Sequence, residues 1–232
     1  MTRVCYPWHV KRGMRVEKRA LAVFDFDGTM IRGDSIVSFV LTAYRRGVIG
    51  LWGCVRAVLL TIPYGLGLLS DEQFKTLMLG FYQRLSPEER RELDETFVRE
   101  ELLPRVYPAA LERLEKHRQE NCLCLLVSAS TENYMTLVKK ALGFDGLICS
   151  RMDEKKRVIL NCRGEKKLRE IDAYLQKAGV TPQWEDSYAY GDTFSDLPML
   201  TRCGHGTKVN PRSRLRRAAP ELPIEEWKPL KS

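Results

Sequence analysis

Residues 23–30 read VFDFDGTM. An apolar run, Ala20 to Phe24, ends in two aspartates, Asp25 and Asp27, and a Gly-Thr turn follows at once. The stretch ALAVFD (20–25) has the length and apolar continuity of a short buried strand. In an extended chain, residues two apart face the same side. Asp25 and Asp27 therefore reach toward one spot while Phe24 and Phe26 turn into the core. Two carboxylates held close repel, which raises the pKa of one of them unless a cation answers the charge. A hard divalent cation neutralises such a pair, and Asp192 in GDTFSD (191–196) offers it another oxygen.

Outward from this strand the chain changes character twice. From about Ser35 to about Leu103 the periodicity is helical, broken at Gly47, at Pro63 to Gly67 and at Ser86-Pro87. SPEER (86–90) reads as a helix start, with a serine cap, proline in the first turn and acids after it. Beyond Pro104 and Pro108, strands and helices alternate. CLCLLVS (122–128), GLICS (146–150), KRVILNC (156–162), SYAYGD (187–192) and GHGTKVNP (204–211) read as strands. PAALERLEKHRQE, TENYMTLVKKALG, GEKKLREIDAYLQKAG and SDLPMLTRC read as helices. Such alternation implies an α/β fold, a Rossmann-like and mostly parallel sheet covered on both faces. The predicted organisation is a core of residues 19–32 and 105–220, with an all-helical cap, 33–104, inserted after the first strand. Residues 1–18 form a basic, disordered extension and 221–232 a C-terminal tail. Met14, just ahead of RVEKRALAVFDFDGT, is a natural start, which would leave 1–13 as an upstream extension.

The formal net charge is +8, and much of it sits in residues 1–20 and in Arg212, Arg214, Arg216 and Arg217. Basic ends attract polyanions, but no reading motif accompanies them, and no nucleic-acid partner is expected. The seven cysteines are scattered and none has zinc-ligand spacing. With no signal peptide at the start, the reading is a reducing cytoplasm.

Four polar clusters fall beyond the carboxyl ends of predicted strands or at a helix start: Asp25/Asp27, Ser128, Lys166/Lys167 and Asp192/Asp196. Open α/β sheets bind ligands there. Each cluster alone has a plain structural explanation, a turn, a cap or a buried hydroxyl. Their convergence points to a site. In this order DFDGT, LLVSAS, GEKK and GDTFSDLPML resemble the motifs of the haloacid dehalogenase superfamily. The branch is the one that includes phosphoserine phosphatase and carries a helical cap after the first motif. The resemblance spans about residues 20–215.

That resemblance implies a Mg²⁺-dependent phosphomonoesterase. Asp25 would be the nucleophile that becomes an aspartyl phosphate, and Asp27 the general acid and base. Asp25, Asp27 through its backbone carbonyl, Asp192 and Asp196 would serve the metal. Ser128 and the motif lysine would bind phosphoryl oxygens, with Thr29 and Ala129 beside the substrate. Lys167 is preferred over Lys166, because Leu168, Ile171 and Leu175 then fall on the apolar side of the same helix. The second aspartate favours phosphatase over dehalogenase chemistry, with phosphotransferase second. A non-catalytic basic binding module is the alternative from another class, and the acidic set argues against it.

Asp34 is a candidate substrate contact, or equally the cap of the first cap helix. The cap arginine that phosphoserine phosphatases use has no clear counterpart in FKTLMLGFYQRL (74–85), although Lys75 and Arg84 are present. Residues 45–69 are instead apolar on nearly every side, with Arg56 the one charge after Arg45 and Arg46. Such a segment packs within the cap, packs on a second copy in a homodimer, or meets lipid. The lipid reading resembles the cap of phosphatidylglycerophosphatases of the same branch and would put the protein at the inner face of a membrane. The substrate is thus a small phosphorylated metabolite, such as histidinol phosphate in related sequences, or a lipid phosphate.

Overall fold

The computed structural model describes residues 17–229; the predicted extension before residue 17 lies outside them. The strands are β1 (Glu17–Arg19), β2 (Leu21–Phe24), β3 (Leu123–Thr131), β4 (Gly146–Met152), β5 (Val158–Leu160), β6 (Val180–Pro182), β7 (Tyr188–Gly191), β8 (His205–Val209) and β9 (Ile224–Glu225). The helices are α1 (Ser35–Arg45), α2 (Leu51–Leu59), α3 (Thr61–Gly65), α4 (Asp71–Met78), α5 (Pro87–Phe97), α6 (Pro108–Gln119), α7 (Glu132–Leu142), α8 (Glu165–Ala178), α9 (Leu197–Arg202) and α10 (Ser213–Arg217).

The main sheet has the order β5-β4-β3-β2-β7-β8-β9. Every neighbouring pair is parallel except β4 with β5. β2 lies between β3 and β7, with Phe24 opposite Leu126 on one side and Tyr190 on the other. Its side chains alternate between two buried layers. Ala22 and Phe24 join Leu126, Tyr134 and Tyr190, whereas Leu21 and Val23 join Leu125, Ile171 and Leu200. Burial on both faces is why this strand reads as continuous apolar sequence rather than as an alternation. Phe24 stacks on Tyr190 with ring centroids 4.6 Å apart.

Between β2 and β3 the chain runs through α1 to α5, joined to β3 by a π-helical turn, a 3₁₀ turn and α6. Its core is aromatic: Phe39 of α1 packs on Phe97 at 4.9 Å and on Tyr134 of α7 at 5.2 Å. α4 and α5 begin with full capping boxes, Ser70 with Gln73 and Ser86 with Glu89. Polar bonds tie α4 to the sheet: Asn161 Nδ2 donates to Asp71 at 2.7 Å, Lys166 to Glu72 at 2.7 Å, and the Val158 N–H to Thr76 Oγ1 at 2.9 Å.

Two parts of the fold differ from the sequence expectation. Residues 221–229 are not a free tail. β9 pairs with β8, the Trp227 N–H donates to Asn210 Oδ1 at 2.9 Å, and Trp227 is buried beside Tyr190. A two-residue strand is too short to leave a periodic signal, and the anchor is a single tryptophan. The second is β1: Glu17 and Lys18, assigned from sequence to the disordered extension 1–18, belong to a strand that pairs with β6 away from the main sheet. Both partners are three residues long, Glu-Lys-Arg and Val-Thr-Pro, so no apolar run marks them.

Candidate active site

The carboxyl ends of β2, β3 and β7 lie side by side, and the loops after them carry the acidic residues. Asp25 leaves β2 with its N–H on Tyr190 O at 3.0 Å. Gly28 then turns the chain at φ +83, a conformation glycine adopts without penalty. A Cβ at Gly28 would stand 2.2 Å from Asp192 Oδ2, so the turn packs directly on the β7 loop.

Asp25, Asp192 and Asp196, all buried, bring their carboxylate oxygens within 4.8 Å of one another. Lys167 enters from the first turn of α8. Its Nζ donates to Asp25 Oδ1 at 2.5 Å and to Asp196 Oδ1 at 2.6 Å. Ile171 and Leu175 are buried on the same side of α8, one and two turns on. Of the two adjacent lysines, Lys167 is 2% exposed within the cluster, and Lys166 bridges to Glu72 outside it. Thr29 donates to Asp25 Oδ2 at 3.2 Å. Asp196 Oδ2 accepts from Thr193 N and Oγ1 at 2.9 and 2.8 Å.

The two aspartates of the first motif part company. Asp27 stays out of the cluster and has its own donors: the Ser35 N–H at 2.7 Å, the Ser35 hydroxyl at 3.0 Å and the Ser130 hydroxyl. Burial and the charge of Asp34 nevertheless push its pKa up to about 6, against the pull of those bonds. A carboxyl in that range can both release and take up a proton near neutrality.

Electrostatics in the cluster favour a cation. Burial drives the Asp25 pKa well above the usual carboxylate value; Lys167 opposes this, and Asp196 and Asp192 add to it. Burial, with Asp196 beside it, takes Asp192 up to about 7. Burial works against the charge on Lys167, but Asp196 and Asp25 outweigh it and hold its pKa above the ordinary lysine value. One ammonium faces three carboxylates. Asp192 Oδ1 is buried without any hydrogen-bond partner, and Arg212 reaches only the other oxygen, at 3.3 Å. An orphaned carboxylate oxygen among others is what an oxygen-liganded divalent cation fits.

The cluster lies at the floor of a cavity of about 350 Å³ walled by the helical insert. Asp34 borders it and also caps α1, accepting from the Val37 N–H at 3.1 Å. One side chain thus caps the helix and lines the cavity. Ala129 lines the cavity, whereas Ser128 lies behind it, fully buried, its Oγ accepting from the Ser130 N–H at 2.9 Å. The register of β3 against β4 shifts between Ser128 and Thr131, and the bulge turns Ala129 and Ser130 toward the cavity.

Four further residues reach the site. Ser130 and Ser35 hold Asp27, and Arg212 holds Asp192. Lys75 of α4 donates to Ala129 O and Asn161 Oδ1, and burial takes its pKa down to about 8 against Asp27, Asp71 and Asp34. The spacing S-A-S was a signal for Ser130. Lys75 was visible as a cation in FKTLMLGFYQRL, but nothing in its polar helix, DEQFKTLM, gave it a role. Nothing in sequence marked Arg212 apart from its basic neighbours.

The family model described as haloacid dehalogenase-like hydrolase matches residues 22–201. The chain belongs to the haloacid dehalogenase-like hydrolases. Relatives of this hydrolase include a histidinol-phosphatase of Neisseria meningitidis, 26% identical over 87% of this chain and 95% of that protein. A probable phosphatase of Mycobacterium tuberculosis is 26% identical over 89% of this chain and 74% of its own length. Among solved structures, a Bordetella pertussis protein of unknown function superposes with TM-score 0.80 at 26% identity, covering 89% of this chain and 98% of that one. A substrate-bound phosphoserine phosphatase superposes with TM-score 0.61 at 19% identity, over 90% and 94%, which speaks to the fold of this hydrolase.

Proposed function

We propose that the protein is a Mg²⁺-dependent phosphomonoesterase that works through an aspartyl phosphate on Asp25. The observation that carries this reading is the gathering of Asp25, Asp192 and Asp196 around the orphaned Asp192 oxygen, with Lys167 against them and Asp27 held apart.

Asp25, Asp192 and the backbone carbonyl of Asp27 would hold Mg²⁺, with Asp196 in support through its bonds to Lys167 and Thr193. The ion, when bound, offsets phosphoryl charge and the mutual repulsion of the carboxylates. A carboxylate oxygen of Asp25 attacks phosphorus and the ester P–O bond breaks. Asp27, protonated at that stage, gives its proton to the departing alkoxide. Asp27 then takes a proton from water as the water oxygen attacks the phosphoaspartate. The P–O bond to Asp25 breaks, and inorganic phosphate and the free carboxylate result. Lys167 and the backbone after Ser128 stabilise the charge on the phosphoryl oxygens. A pKa of about 6 suits Asp27 to both proton transfers.

The alcohol side of the cavity combines apolar walls from Ile36, Val37, Phe74 and Met78 with Lys75, Asp34 and Asp71. This suits a leaving group with an apolar part and a polar handle. A small metabolite phosphate, of the kind the Neisseria relative is named for, and a lipid phosphate both meet that description.

The test is turnover of p-nitrophenyl phosphate, followed by a panel of phosphorylated metabolites and lipids. Activity is expected to vanish in EDTA and return with Mg²⁺, and Asp25→Asn is expected to lower kcat by about 10⁴-fold or more. Near-normal turnover by the Asp25→Asn protein would refute the reading. Inactivity of the parent protein on every ester in the panel would instead favour a binding module.

A further inference from the structure

The helical insert turns an unusual surface outward. In α2 the one buried residue is Ala57, and α3 buries none. On the side of α2 away from Ala57, the exposed arc runs from Val58 and Leu51 through Leu59 and Trp52, opposite Ala57, to Arg56. The apolar surface continues through Ile62, Leu66 and Leu68, which are 60%, 70% and 71% exposed; Trp52 is 83% exposed. Exposed leucines scattered singly need no explanation, but a continuous apolar face marks a docking surface.

Charge identifies what docks. Residues 35–70 contain three arginines and no acidic residue. Arg45 and Arg46 are bridged to Glu101 and Glu100, whereas Arg56 and Arg84 have no ion-pair partner among the described residues. Arg56 and Arg84 border a cavity of about 400 Å³ together with Trp52, Ile49, Leu77 and Phe81. Unpaired guanidinium groups beside an apolar face complement phosphate headgroups over acyl chains. A second copy fits less well. Pairing this face on itself opposes cations with cations, and the nearest acids along the chain, Asp71 and Glu72, are already bonded to Asn161 and Lys166. α2 and α3 are nine and five residues long, and no helix among the described residues is long and apolar enough to cross a membrane. The contact is therefore one that lies in the bilayer surface. Thr61 and Tyr64 of α3 border the catalytic cavity, so this surface adjoins the site.

We propose that the α2–α3 face docks on the surface of an anionic lipid bilayer. Leu51, Val58, Ile62 and Leu66 enter the acyl boundary, Trp52 sits at the interface, and Arg56 and Arg84 meet headgroup phosphates. The docking stands apart from the catalytic reading: Asp25→Asn leaves the face intact, so that protein binds vesicles as the parent does even though it is inactive.

The experiment is flotation of the full chain with vesicles of phosphatidylcholine alone and of phosphatidylcholine mixed with phosphatidylglycerol. Binding is expected to be at least ten-fold stronger to the anionic vesicles and to weaken with added salt. The Trp52 emission should shift to shorter wavelength on binding, and Trp52→Phe should remove the shift. Arg56→Ala with Arg84→Ala should weaken binding about thirty-fold, each surface cation contributing about five-fold. Val58→Ser with Ile62→Ser and Leu66→Ser should reduce it to background while the thermal melt stays in place. Two results overturn the proposal. One is a protein that stays with the soluble fraction in both preparations. The other is a dimer in sedimentation that Ile62→Ser dissolves, which would give the face to a second copy.

Discussion

Two regions on either side of α3 handle their side chains in opposite ways. At the ends of β2, β7 and α8 the protein buries charge, and every buried charged group but one oxygen of Asp192 has a partner from another segment. On the outer side of α2 and α3 it exposes apolar side chains, and Arg56 and nearby Arg84 have no ion-pair partner among the described residues. Burying charge costs several kcal/mol per ion unless it is answered, and exposing apolar surface forgoes about 25 cal/mol per Å². Neither arrangement is what stability alone selects, which fits the ligands proposed above for each. The difference lies in rigidity. The charged region is fixed by partners at 2.5–2.9 Å, and its failure modes are large. The apolar face has few neighbours, and changes there should be felt in binding and hardly in stability.

The largest effect that would sharpen this contrast is Lys167→Met. It leaves Asp25, Asp192 and Asp196 buried without their ammonium. It should destabilise the protein by about 3–5 kcal/mol in metal-free buffer, read from the urea midpoint, and abolish phosphatase activity. A variant as stable as the parent would break the comparison, since it would mean the carboxylates do not need their cation. Phe39→Ala, inside the same helical insert as the apolar face but at its aromatic core, should cost a similar amount, about 3–5 kcal/mol.

A smaller effect comes from Asp94, where burial raises the pKa to about 6 while Tyr82 and Asn133 donate to it. The folded state then holds a proton that the unfolded state has lost. This contribution is fully present below about pH 4 and disappears as pH rises through about 6, a change of about 2–3 kcal/mol. Urea melts of the parent and of Asp94→Asn across that range should differ in slope, the variant lacking the decline. The smallest expected change is Ile62→Ser, within about 0.5 kcal/mol of the parent in the same melts, because the side chain is already 60% exposed. A cost of several kcal/mol there would show that the outer face is packed after all.

The parts of the site that were legible in sequence are those in which the chain itself sets the geometry. Asp25 ends an apolar strand, and Lys167 shares a helical face with Ile171 and Leu175, so periodicity read with the family pattern favoured it over Lys166. What the sequence did not yield depends on long-range contact. Asp25 and Asp27 are two residues apart, yet they are separated by partners 142 and 103 residues away, Lys167 and Ser130. The bulge that turns Ser130 rather than Ser128 outward is a property of how β3 pairs with β4, not of LVSAS. Lys75 reaches the site only because α4 is tied down on Asn161 and Lys166. In the fold, the strands buried on both faces were evident. β1, β6 and β9 were not, since strands of two or three residues bury too little to pattern the sequence.

Those short strands bear on how molecules of this protein meet one another in solution. The sheet ends in a three-residue strand at one margin, β5, which runs against its neighbour, and in a two-residue strand, β9, at the other. Its longest strand, β3, is shut in between β2 and β4. A foreign chain seeking to extend the sheet by backbone pairing finds only stubs to add to, so crowding should not string these molecules into fibrils through their edges.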